Sequence, residues 1–83
     1  MIDILTLEKA GDVVNCDHPI SAKNMPMELV SLHKTDDKEY DLEDGKYCKE
    51  TWLVRPKHRG TNGKMLMKTF YRQTEIKNSR GLN

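Results

Sequence analysis

Asp44-Gly45-Lys46-Tyr47-Cys48-Lys49-Glu50-Thr51-Trp52-Leu53-Val54 is the run whose reading decides the fold. Asp-Gly ahead of alternating residues is a hairpin signal, and the β-branched and aromatic content from Tyr47 to Val54 favours a strand. A period of two puts Cys48, Trp52 and Val54 on one face, with Glu50 as the odd polar member among them. Pro56 follows, where it either ends the strand or places it at an edge.

Working outward, Met27 to Leu32 reads as a strand, with Val30 and Leu32 on one face and Met27 and Leu29 on the other. Thr35 to Asp44 is densely charged and expected to be an exposed acidic hairpin. On the other side, Arg55 to Lys64 is a basic loop, and Asn62-Gly63 is a second hairpin signal. Met65 to Ile76 closes the set, with Leu66 and Phe70 on one side and Met65, Met67 and Tyr71 on the other. An amphipathic helix over 64–77 is the competing reading there, but Thr69, Phe70, Tyr71 and the preceding Asn-Gly favour strand. Near the start, Asp3 to Lys9 alternates moderately, Ala10-Gly11-Asp12 is a turn, and Val13-Val14 opens another short strand. Asn15, Asp17, Pro19, Ser21, Asn24 and Pro26 make 15–26 loop-like. The expected architecture is mainly β: a small SH3-like barrel or a curled antiparallel meander of four to five strands. It occupies residues 1–77 as a single domain, and 78–83 form a flexible tail.

The chain of 83 residues is 36% hydrophobic and 33% charged, polar but within the globular range. One modest core is all that this length can enclose. No run of 18 apolar residues exists, and the first residues lack the basic and apolar regions of a secretion signal. A cytoplasmic location is therefore expected, with Cys16 and Cys48 as reduced thiols. The net charge of +1 hides an asymmetry: residues 1–44 carry 11 acidic and 4 basic side chains, residues 45–83 only 2 acidic against 10 basic. Such a split yields either an electropositive surface or oppositely charged strands lying against each other.

Gly11-Asp12-Val13-Val14 resembles the opening of small SH3-like barrels. Together with Pro26, Met27 and Val30, then Cys48 and Trp52, then Phe70, the chain is similar to the YodC-type family of small uncharacterised proteins. Ile20 to Asn24 replaces the glycine-rich loop of that pattern, and Cys48 and Trp52 stand further apart than in it. The resemblance implies a fold and no chemistry.

Function is expected in the basic loop. Arg55, Lys57, His58, Arg59 and Lys64 offer positive charge to phosphates, and Trp52 and Tyr71 in the flanking strands offer ring faces to bases. The expected activity is that of a non-catalytic binding module for nucleic acid or a nucleic-acid-handling complex. The alternative is a small protein–protein inhibitor or adaptor, of the kind phages direct at host machinery. No membrane contact, small-molecule substrate or cofactor is expected. Cys16, His18, Cys48 and His58 are the residue types of a zinc site, but no Cys-x-x-Cys or His-x₃-His knuckle joins them. Cys16, Asp17 and His18 are adjacent, and neighbours on a strand face opposite ways. The carboxylate pairs Asp36-Asp37 and Glu43-Asp44 sit in polar turns, where nothing shifts a pKa. No catalytic residue is assigned.

Overall fold

The computed structural model describes residues 3–58 and 61–76, with 58, 61 and 62 in backbone alone. The strands are β1 (Ile4–Leu5), β2 (Val13–Asp17), β3 (Asn24–Leu42), β4 (Gly45–His58), β5 (Thr61–Asn62) and β6 (Leu66–Ile76). They lie in the order β1-β6-β4-β3-β2, with β5 folded back onto β4. All pairings are antiparallel except β1 with β6, which is parallel. No helix among the described residues is long and apolar enough to cross a membrane. The chain is mainly β, and 66–76 is strand rather than helix.

Of the barrel and the curled meander, the sheet is the meander: no ladder joins its two edges, β1 and β2. A side chain spans the seam instead. The Asp3 carboxylate accepts the backbone N–H of Asp17 at 3.3 Å and the Lys68 ammonium at 2.9 Å. The Asp3 carbonyl accepts from Tyr71 N–H. Curling lets the inner face close on itself around Leu5, Cys16, Met27, Leu29, Trp52, Val54 and Phe70. Met27, Leu29, Val54 and Phe70 are completely enclosed. The expected inner faces of β4 and β6 are therefore the observed ones. Gly11 adopts φ +97°, open to glycine at no steric cost, and with Asp12 it brackets Leu29 through Gly11 N–H to Leu29 O and Leu29 N–H to Asp12 O. That turn delivers β2 onto β3.

Several local expectations need correction. The segment 15–26 is not one loop: β2 runs to Asp17 and β3 starts at Asn24, so Cys16 is a core residue and only 18–23 turn. The acidic stretch 35–42 is strand, the outer length of β3 paired with β4. Register shifts absorb the extra residues between Thr35 and Glu39. Asp36 accepts the Lys38 N–H there, which stabilises a bulge at what is otherwise an open edge. The first hairpin turns on Glu43-Asp44, with Gly45 already paired to Leu42 and pressed against the Glu75 carbonyl. The second reversal falls between His58 and Thr61 rather than at Asn62-Gly63. Pro56 does not stop β4. It lies beyond the last β4–β6 pair, Val54↔Leu66, where a missing N–H costs no rung of that ladder. The tail 78–83 lies outside the described residues.

Candidate functional site

Alternation along β4 decides which functional candidates meet. Even positions from Cys48 to Pro56 face inward, so Lys49, Arg55 and Lys57 face outward on the same strand. On β6, Tyr71 is the partner of Lys49 and shares that outer face. Arg55, Lys57 and Tyr71 are thus brought together on one surface. Trp52 is not. It is 4% exposed on the inner face, and its indole N–H donates to Glu50 Oε1 at 3.0 Å, so its ring is no platform for a base. Arg59 and the side chain of His58 lie outside the described residues. Lys64 is exposed at the link between β5 and β6.

The charge asymmetry between the two halves is realised across β3 and β4. Glu28 pairs with Arg55 in register, and its carboxylate takes Arg55 Nη1 at 3.2 Å and Lys57 Nζ at 3.4 Å. One carboxylate facing two cations leaves a local positive excess. Further along, the Lys49 ammonium lies 5.7 Å from the Tyr40 ring centre and 5.8 Å from that of Tyr71, and the rings meet edge to face at 5.6 Å. Lys38 approaches Tyr40 at 5.0 Å. Hydrogen bonding to Tyr40 is the main cause that holds the Lys49 pKa above its ordinary value, so the ammonium is charged across the neutral range. Sequence reading missed Lys49 and Tyr40. Stepping back by twos from Lys57 and Arg55 along β4 would have found the first. The second required the pairing Tyr40↔Tyr47, which only the folded hairpin supplies.

No family model, curated protein or solved structure matches the chain. Its chemistry has to be read from its own side chains.

Among the described residues, no three metal-ligating side chains cluster. Cys16 is packed in the core, where burial pushes its thiol up to about 11. His18 belongs to the β2–β3 turn, and its Nδ1 accepts the N–H groups of Ile20 and Ser21. Cys48 is half-buried, and its thiol is also raised, first by burial and then by Glu50. A thiol pKa near 11 leaves about one part in a thousand as reactive thiolate at pH 8. Ellman's reagent at pH 8 is expected to titrate Cys48 slowly in the native protein and Cys16 only after guanidinium unfolding. Equal native rates for both thiols would contradict the enclosed position of Cys16.

Proposed function

We propose that this domain is a non-catalytic binding module for nucleic acid, or for a complex that handles it, acting through the outer face of β4 and β6. The observation that supports it most is the row Lys49, Arg55 and Lys57 on one side of β4, with Tyr40 and Tyr71 flanking its far end. At about 3.3 Å per residue the row is about 26 Å long, enough to follow several phosphates of a strand. Two ring systems beside the cations offer surfaces that any base can use. The likeness to small SH3-like barrels belongs to this reading, and fold alone does not establish it. The non-catalytic half is supported by the two described thiols, of which one is enclosed and both are raised above their ordinary pKa by burial.

A fluorescein-labelled single-stranded oligonucleotide, titrated by anisotropy, tests the reading. Three phosphate contacts give an expected slope of about −2 in log affinity against log salt. Reversing Lys49 and Lys57 together to glutamate is expected to weaken binding more than about tenfold, with the circular dichroism spectrum unchanged. No binding at low salt, or a slope near zero, refutes the proposal. Capture from lysate before and after nuclease then separates a direct nucleic-acid ligand from a protein that carries one.

A further inference from the structure

The end of the sheet opposite the long hairpin holds an open groove of about 370 Å³, between the β2–β3 turn and the link from β5 to β6. Its deeper residues are Met25, Pro56 and Leu66, and its outer ones are Ile20 and Met65. Ile20 is 86% exposed and Met65 45%. The turn that carries Ile20 is firmly built. His18 Nδ1 accepts the Ile20 and Ser21 N–H groups, Ala22 N–H donates to His18 O, and His18 N–H donates to Lys23 O. Ala22 is held at φ 58°, a left-handed conformation that costs a non-glycine residue about 1 kcal/mol or more. A strained turn tied by four hydrogen bonds that holds an isoleucine in water is a prearranged apolar surface.

Charge at the rim identifies the occupant. Lys64 lines the groove, and Arg55, whose Nη1 is held by Glu28, keeps Nη2 3.5 Å from the sulfur of Met65. No carboxylate is among the described residues that line it. The His18 Nδ1 acceptor is already satisfied, and the remaining walls are mainly aliphatic and thioether groups. A nucleobase would lose hydrogen bonds to water on entering, whereas a hydrocarbon side chain loses none. Two methionines give walls that adapt to its shape. We infer that the groove docks an acidic segment of a partner protein, with one large apolar side chain seated between Ile20 and Met65 and flanking carboxylates on Arg55 and Lys64. The groove shares Arg55 with the Lys49, Arg55 and Lys57 row, but its apolar seat between Ile20 and Met65 lies outside that row and does not rest on the nucleic-acid reading.

The probe is a fluorescein-labelled peptide, Glu-Asp-Phe-Glu-Asp, titrated by anisotropy and mapped by amide chemical shifts on the full chain. Three comparisons accompany it: the same peptide with alanine for phenylalanine, the same peptide with lysine flanks, and a single-stranded oligonucleotide. Shifts are expected at residues 18–25 and 63–66, with binding weakened about tenfold by Ile20→Asp and by Lys64→Glu. Both positions are exposed, so the variants are expected to fold, and amide spectra check this. Equal binding of the alanine or the lysine-flanked peptide overturns the inference. So do peptide shifts confined to Lys49 and Lys57, or oligonucleotide shifts that fall on the groove.

Discussion

Replacing Phe70 with alanine is expected to lower the melting temperature by about 15–30 °C. Phe70 is completely enclosed, with Trp52, Val54 and Leu5 in the same cluster and the Lys68 ammonium 5.3 Å from its ring. Phenylalanine-to-alanine changes at such positions cost about 3–5 kcal/mol, because lost transfer energy and the remaining cavity add. A domain of this length has about 4–12 kcal/mol in total, so the loss takes a large share of it and all of it at the low end. Each kcal/mol moves the midpoint of a small domain by about 4–8 °C. Tyr71→Ala is the matched control, one residue along on the opposite face and half-buried. Its expected cost is about 1 kcal/mol. Thermal melts followed by circular dichroism decide the matter. Similar losses for the two variants would mean that the inner and outer faces of β6 are wrongly assigned.

The inner face was readable because period two is a local property of the chain. Trp52 and Val54 on β4, and Leu66 and Phe70 on β6, recur at even spacing, and nothing beyond these two strands is needed to see it. Gly11-Asp12-Val13-Val14 was legible for the same reason, since its turn and strand lie within a few residues. Within the acidic hairpin, Asp36-Asp37 was misplaced in a turn because charge density resembles one. The strand state of 35–42 comes from β4 supplying partners to Thr35 and to Glu39–Leu42, with a bulge absorbing the residues between. Cys16 was placed in a loop because Asn15 and Asp17 flank it. Both point away from the core that Cys16 enters, as alternation allows. The parallel β1–β6 pair joins residues 4–5 to 71–72, a contact with no local trace.

The site divides along the same line. Arg55 and Lys57 were visible as a basic cluster, but their shared carboxylate, Glu28, lies 27 residues before Arg55. That carboxylate offsets part of the expected attraction within the domain. Trp52 was attractive as an aromatic beside a basic loop. Only its parity on β4 separates it from Tyr71, and parity is what sends it inward. The groove was beyond reach, because its walls come from segments about forty residues apart that meet only when β3 brings the first turn back beside β4.

Glu50→Leu is the second large effect, and it explains the odd polar member of the inner face. Glu50 Oε1 accepts the Trp52 indole N–H and the Arg72 Nε–H, each at 3.0 Å, while Arg72 Nη1 donates to the Thr6 carbonyl beyond β1. The side chains of Arg72 and Glu50 are 17% and 12% exposed, so the pair is only weakly screened by solvent. Leucine there would remove the acceptor from two part-buried donors, one of them a guanidinium. Breaking one half of such a pair costs about 3 kcal/mol, more than the intact pair contributes, because the stranded charge keeps its desolvation penalty. Arg72→Met alone is expected to cost less, about 1–2 kcal/mol, since Glu50 keeps the Trp52 bond. Adding it to Glu50→Leu removes the stranded guanidinium and should recover about 1 kcal/mol or more of the single-variant loss. Urea unfolding of the four proteins in the cycle measures this coupling. Additive losses would mean that Glu50 and Arg72 contribute separately, and that the tie from β4 through Arg72 to Thr6 does not hold the open edge of the sheet in place.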